Sequence, residues 1–226
     1  MPPRHPVPAR APEATPPRLP GQRRPATLPA DDLVDEATYR GLDVIDLDLA
    51  GRTVASVEFD GCHLRGTDLN GCQLDKGGLV DCLLESCNLA NLRATDASLR
   101  RVRIGTARMT GFGWINGALR DVAFEDCRLD LSTFRFSRLI DVVFSGCNLT
   151  RADFTNADLS RARFAGCVLD GAQFSQATLT GTRFTRCELA DIGGITSMRG
   201  AVLEGHNLVA LAHTLAAGLG ITIDTA

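Results

Sequence analysis

Large apolar residues recur at every fifth position of this chain. The stretch FTNADLSRARFAGCVL, residues 154–169, carries them at Phe154, Leu159, Phe164 and Leu169. A helix repeats near 3.6 residues and a strand at 2, so neither alone explains a period of five. Take every position from Val44 to Leu189 whose number leaves remainder four on division by five. There are thirty, and all are apolar: sixteen Leu, eight Phe, and Val44, Val54, Ala94, Ile104, Met109 and Trp114. The frame does not slip across these thirty repeats.

The position two residues earlier holds small side chains, among them Thr67, Ala152, Ala157 and Ala162. All eight cysteines fall in that class: Cys62, Cys72, Cys82, Cys87, Cys127, Cys147, Cys167 and Cys187. Eight cysteines could suggest four disulfides. Confined to one slot of a repeat, and alternating with Ala, Thr, Ser and Val, they read instead as free thiols filling a core. A reducing cytoplasm is the compartment expected for them. Of the thirty-six charged residues between Asp43 and Glu188, none takes the large slot and only Arg52 takes the small one. Unpaired charge is costly to bury, so two slots of five point inward and three outward.

Small, outward, large is a three-residue strand, and the two remaining residues, often Gly, Asn, Asp, Ser or Thr, turn a corner. Each pentapeptide is one side of a coil. From Leu119 onward the large slot alternates Leu and Phe, and Cys87, Cys127, Cys147, Cys167 and Cys187 are separated by multiples of twenty. Twenty residues per turn makes four sides. The cysteines should stack in one internal column, and Phe124, Phe144, Phe164 and Phe184 in another. Thirty pentapeptides predict about seven and a half coils, a rod of about 36 Å at roughly 4.8 Å per layer.

The units ADF (152–154) and ADL (157–159) are of the A-[DN]-L kind, and with the unbroken frame they resemble the pentapeptide-repeat family. The resemblance covers residues 44 to about 190. It implies an all-β fold, a right-handed quadrilateral β-helix. A second motif, F-x-x-C-x-[LF], occurs as FDGCHL (59–64), FEDCRL (124–129), FSGCNL (144–149), FAGCVL (164–169) and FTRCEL (184–189). In it the chain is similar to the quinolone-resistance branch of that family. That similarity implies a dimeric rod that mimics duplex DNA, occupies the DNA-binding saddle of DNA gyrase and protects the enzyme from cleavage-stabilising poisons. The absence of projecting loops looks more like the mycobacterial members. The motif also reports on core packing, so a generic β-helical scaffold with another partner stands as the alternative.

Both ends of a solenoid need covers, because open strand edges invite aggregation. All ten prolines lie between Pro2 and Pro29, and residues 1–30 read as a disordered basic tail. Such a tail is either a floppy extension or a ligand for a proline-recognition domain or nucleic acid. DDLVDEATYRG (31–41) reads as an N-terminal cap, so that residues 31–43 lead into a β-helix over 44–193. The frame fails near Gly193–Gly194, and residues 194–226 form a C-terminal cap. Within it, HNLVALAHTLAAGLG (206–220) shows helical spacing at Leu208, Leu211, Ala212, Leu215 and Leu219. Its other face, with Val209, His213 and Ala216, is apolar for a solvated surface. A helix apolar nearly all round is covered on both sides, either by a second copy, making a homodimer, or by lying wholly on the stack.

Charge is distributed unevenly. Residues 1–30 hold five Arg and one Glu; residues 41–90 hold three basic and nine acidic residues; residues 91–190 hold fourteen basic and ten acidic. The acidic first third is the candidate surface for DNA mimicry: Asp43, Asp46, Asp48, Glu58, Asp60, Asp68, Asp75, Asp81 and Glu85. Asp48 and Asp68, twenty apart, should stack on one side. The same residues also make an ordinary solvated face. Across residues 41–190 the balance is 17 basic against 19 acidic, sparse beside the charge of duplex DNA.

Little in the chain speaks for catalysis. The inward slots hold Leu, Phe, Ala and Cys, and inward thiols should be inert. His206 and His213 are seven apart, two helical turns, too far for one metal without other ligands. No catalytic, cofactor or metal residues are expected. GFGWING (111–117) has the wrong spacing for a dinucleotide fingerprint. Phe112 and Trp114 take inward slots, with Gly111, Gly113 and Gly117 read as outward, which suggests an overfilled coil or a bend. Leu92 and Ala94 exchange large and small in neighbouring slots, which reads as volume compensation. Direct nucleic-acid binding through Arg93, Arg100, Arg101, Arg103, Arg108 and Arg120 is disfavoured. Those arginines lie on several sides, and the aromatics point inward. No apolar run approaches a membrane span.

Overall fold

A computed structural model describes residues 14–204, 208–218 and 220–222 of the chain. Short strands, mostly of three residues, stack in parallel at a register of twenty residues. Asp43, Val44 and Ile45 pair with His63, Leu64 and Arg65, and these pair in turn with Leu83, Leu84 and Glu85. The same step relates Thr53–Ala55 to Gln73–Asp75 and Arg163–Ala165 to Arg183–Thr185. The molecule is a four-sided parallel β-solenoid. All thirty residues of the large slot are buried.

The corners explain why the repeat is five. Every fifth residue from Glu36 to Asp191 has positive φ. That conformation turns the chain from one side to the next, and glycine, asparagine and aspartate tolerate it best. Gly61, Asn91 and Asp96 follow that preference, whereas Leu131, Phe136, Arg151 and Arg161 do not. The outward Asp or Asn of the A-[DN]-L unit supports the next corner. Oδ1 of Asp48, Asp68, Asp153 and Asp158 accepts the backbone N–H two residues on, at 2.8–3.0 Å.

Inside, Phe124, Phe144, Phe164 and Phe184 stack at centroid spacings of 4.8–4.9 Å with nearly parallel rings. Phe134, Phe154 and Phe174 make a second stack at 5.3 Å. The two stacks meet edge to face, for example Phe144 on Phe154 at 78°. Each thiol of the cysteine column lies against a carbonyl of the coil below, as Cys167 does on Phe144 O at 3.4 Å. All eight cysteines are free and buried.

Both ends extend the stack to about nine turns, a rod of about 43 Å, rather than seven and a half. Residues 14–30 are not the tail that composition suggests. Arg24–Pro25 forms the first strand, on Leu42–Asp43, with Arg24 N–H donating to Gly41 O and Ala26 N–H to Asp43 O. Proline fits there because its missing donor faces the open end of the stack. Residues 1–13 lie outside the described residues. Tyr39, in the expected cap, already stacks on Phe59 at 4.9 Å, and its hydroxyl donates to Asp32 O. Arg52, the one charge in an inward slot, is held by Asp32 at 3.1 Å.

At the other end Gly194 turns the chain at φ +72, where a Cβ would lie 2.3 Å from Ser175 N. A 3-10 turn, Ile195–Met198, follows, and Val202–Leu203 pairs with Arg183–Phe184 at a register of nineteen. The helix Leu208–Gly218 then packs on the 3-10 turn. Among the described residues no helix is long and apolar enough to cross a membrane.

GFGWING is packed differently from the sequence expectation in one respect. Gly117 occupies an inward slot, not an outward one. A Cβ there would lie 2.4 Å from Nε1 of Trp114 and 2.7 Å from Ala97 O. The glycine makes room for the indole, whose Nε1–H donates to Ala97 O at 3.2 Å. Phe112 and Trp114 stack at 5.9 Å and are both 2% exposed, so the coil is filled.

Candidate functional surface

The nine acidic residues of the first third do not share a face. Asp43 lies on the side that begins at Gly41, flanked by the corner residues Asp81 and Glu85; Asp46, Asp48 and Asp68 lie on the second side. Asp75 follows on the third, and Glu58 and Asp60 on the fourth. Asp48 and Asp68 are direct neighbours in adjacent coils, as their spacing predicts.

Several of these carboxylates have cationic partners. Asp43 is 2.6 Å from Arg23 and 3.6 Å from His63 Nδ1, while His63 Nε2 is 2.8 Å from Glu85. Asp81 is bound by Arg101 from the next coil, which holds its carboxyl below the usual range. Asp60 is 3.9 Å from Arg40 and Asp75 3.9 Å from Lys76. Asp46, Asp48 and Asp68 have no ion pair within 4.0 Å among the described residues, and Asp46 and Asp48 are exposed. Asn88 Nδ2 donates to Asp68 Oδ1 at 3.1 Å. Asp46, Asp48 and Asp68 thus place three unpaired carboxylates on the second side near the N-terminal end, while Glu36 and Glu58, on the fourth side, are likewise exposed and without an ion pair within 4.0 Å among the described residues.

A different surface lies mid-rod, and the periodic pattern did not single it out. Leu131 and Phe136 are each 53% exposed, at two successive positive-φ corners. They flank one side, Ser132–Arg135. Arg135 lies over the Phe136 ring at 5.5 Å. Ser132 Oγ and Thr133 Oγ1 between them are buried without a hydrogen-bond partner. Large apolar residues at strained, solvated corners were the available sequence signal.

On the terminal helix, Leu211 is 2% exposed and faces the stack, Ala212 is exposed, Leu215 is 44% exposed and Ala216 is half-buried. The side chains of Leu208, Val209, His213 and Leu219 lie outside the described residues, as does His206. Among the described residues no group of three or more His, Cys, Asp or Glu could hold a metal ion. Burial pushes the thiols of Cys72 and Cys87 up from their ordinary range, away from reactivity.

Residues 117–193 match the family model described as a pentapeptide repeat region. No curated protein matches the chain. Among solved structures the chain is similar to HetL, a pentapeptide repeat protein involved in heterocyst differentiation regulation from the cyanobacterium Nostoc sp. strain PCC 7120. The identity is 18%, over 76% of this chain and 89% of that one, with a TM-score of 0.35. It is also similar to a trypsin-treated single-substitution form of QnrB1, a plasmid-mediated fluoroquinolone resistance protein. There the identity is 18%, over 82% of this chain and 99% of that one, with a TM-score of 0.36. A pentapeptide repeat protein from the Arabidopsis thaliana thylakoid lumen matches at 19% identity, over 61% and 68% of the two chains, with a TM-score of 0.26.

Proposed function

We propose that this chain, a pentapeptide-repeat protein, is a non-enzymatic interaction rod whose acidic N-terminal third binds the DNA-binding surface of DNA gyrase. Asp46, Asp48 and Asp68 carry the reading: three carboxylates on one side with no ion pair among the described residues. Some acids elsewhere are neutralised by arginines, as Glu125 is by Arg103 and Asp141 by Arg161. A rigid strip of unmatched negative charge is suited to a cationic groove that normally holds phosphates, and it steers encounter with such a groove. The core is packed with aromatic and aliphatic side chains, which suits a module that works through its exterior. The buried, free thiols suit a reducing cytoplasm.

A gyrase supercoiling assay, with and without a cleavage-stabilising poison, tests the reading. Inhibition at low micromolar protein, or relief from the poison, is the expected result. Indifference of the enzyme under both conditions would remove it.

Leu131 and Phe136 favour a second reading, a scaffold for a different protein partner. A DNA mimic has no use for an exposed apolar pair, and such pairs mark protein contacts. Affinity capture with the wild type and with Phe136→Asn separates the two. Loss of a captured protein in the variant, with gyrase unaffected by either, would favour the scaffold.

A further inference from the structure

The segment Thr15–Arg24 runs back along the rod, opposite to the direction in which the coils ascend. It follows one corner edge, the one that carries Gly41, Gly61, Asp81 and Asp121. Arg23 Nε donates to Asp43 Oδ1 at 2.6 Å. Pro20 sits on Gly41 and Gly61; a Cβ at Gly61 would lie 2.8 Å from Pro20 Cδ. Arg18 N–H donates to Asp81 Oδ1 at 2.9 Å. Thr15 donates to Asp121 Oδ1 through both its hydroxyl, at 2.8 Å, and its N–H, at 3.3 Å. From Arg23 to Thr15 the contacts climb from the first full coil to the fifth.

These contacts are those of an extended peptide on a track. Prolines at 16, 17 and 20 hold the segment extended and leave it fewer backbone donors to satisfy. The glycines lower the floor where a proline crosses. The carboxylates recur along the edge and take a guanidinium, an N–H and a hydroxyl in turn. Yet the segment buries little of itself: Thr15, Arg18 and Pro20 remain exposed. A covering held by a few polar contacts over an exposed edge opens at low free energy.

We propose that this edge is a docking track for an extended cationic, proline-bearing segment, and that Thr15–Arg24 is its occupant in cis, an internal competitor for the rod's cationic partner. The proposal rests on the reading of the acidic third as the partner surface, because Asp43 and Asp81 belong to both. In the closed state the strap pairs with Asp43, whose side chain stays 25% exposed, and engages Asp81, which Arg101 also holds. A cationic partner must displace it to reach them, so loosening the strap raises apparent affinity by the fraction of chains it frees.

The test uses the full chain carrying Thr15→Val and Arg18→Pro, both on the strap itself and away from the core. The Arg18→Pro change deletes the N–H that Asp81 accepts and keeps the extended conformation. A fluorescent peptide of residues 12–24 is titrated into wild type and variant at low and high salt. The expected result is at least tenfold tighter binding to the variant, weakened by salt. Equal binding to both proteins, or none to either, overturns the track. Gyrase inhibition by the same two proteins is the second measurement, and the variant should be severalfold more potent. If gyrase is inhibited equally by both, the strap does not compete with that partner and the autoinhibitory role is overturned. If neither protein inhibits gyrase, the gyrase reading fails by itself, and the peptide titration still decides the track.

Discussion

Asp48 lies directly beside Asp68, its neighbour one coil on, and each carboxylate accepts the backbone N–H two residues ahead. Two like charges at strand spacing repel, yet each also supports a corner of the coil. The two roles separate chemically, because an amide keeps the acceptor and loses the charge. Asn88 shows the amide form in the next coil, its Oδ1 accepting Ala90 N–H at 3.3 Å. Asp68→Asn should therefore raise stability by up to about 1 kcal/mol as the repulsion is relieved. The double change Asp48→Asn, Asp68→Asn should weaken gyrase inhibition about tenfold, at up to about 1 kcal/mol for each exposed charge pair removed. Denaturant melts and supercoiling titrations read the two effects. Inhibition that is unchanged in the double variant takes both residues out of the binding surface.

Gly117 and Trp114 are coupled by contact, not by conformation. Gly117 is not among the positive-φ residues, so any side chain is allowed by the backbone there. Two obstacles meet a Cβ at Gly117: the indole, whose Nε1 would lie 2.4 Å away, and the Ala97 carbonyl oxygen, at 2.7 Å. Gly117→Ala should cost about 1–3 kcal/mol by overpacking. Trp114→Leu in the same chain should recover the part due to the indole and leave the part due to the Ala97 carbonyl, giving a coupling energy of about 0.5 kcal/mol or more in a double-mutant cycle. Additive effects would show that the glycine is retained for another reason.

Much of the fold is legible because the repeat exposes its logic at each position. A slot that is apolar thirty times, and a neighbour that holds every cysteine, leave little freedom in the assignment of inside and outside. The ends are less legible. Proline-rich sequence normally signals a segment that cannot bury a core, and Pro16, Pro17 and Pro20 indeed bury none; they lie on the outside of a core built by others. Arg24–Pro25 joins the sheet at an end strand, the one place where a ladder tolerates proline. Gly117 reads as outward although its number places it in the inward frame, since a glycine offers no side chain to report its direction. The candidate surface is legible only as a list of acids. Which of them are matched depends on arginines twenty residues away, such as Arg101 on Asp81, and that pairing needs the coil geometry.

The eight thiols provide a direct test of the core. They are buried, and Cys72 and Cys87 are pushed toward the protonated, unreactive form by desolvation. Alkylation of native protein followed by mass spectrometry should modify none of the eight within the time that fully labels all of them in denaturant. Rapid labelling of one or two in the native protein would locate a coil that opens.

The N-terminal cap should be sensitive to acid. Arg24 holds Asp31 in a bidentate contact and Thr27 N–H adds another, which lowers the Asp31 carboxyl to about 2. A depressed carboxyl contributes stability above its unfolded value near 3.8, and that contribution disappears as pH falls from about 4 to about 2. Asp31→Asn should lower the melting temperature at pH 7 and have no effect at pH values below about 2. Hydrogen exchange at Arg24 and Ala26, whose N–H groups join the first strand to the second, reports the same loss locally. Equal destabilisation at both pH values would assign the effect of the substitution to packing.

Leu215 and Leu211 point in different directions from one helix, which allows association to be separated from folding. Leu211 is 2% exposed and faces the stack, whereas Leu215 is 44% exposed. Gly218 abuts Ile195, where a Cβ would lie 2.3 Å from Cγ2, so the helix is seated closely on the 3-10 turn. A second copy that covers the outward face would bury Leu215, at about 1.5–3 kcal/mol for a fully covered leucine in each protomer. Leu215→Glu should then shift a wild-type dimer to monomer in sedimentation or light scattering, with little change in the melting temperature of the monomer. Leu211→Glu should instead unseat the helix and lower that temperature at any protein concentration. A wild type that is monomeric at all concentrations would mean that no second copy covers this face.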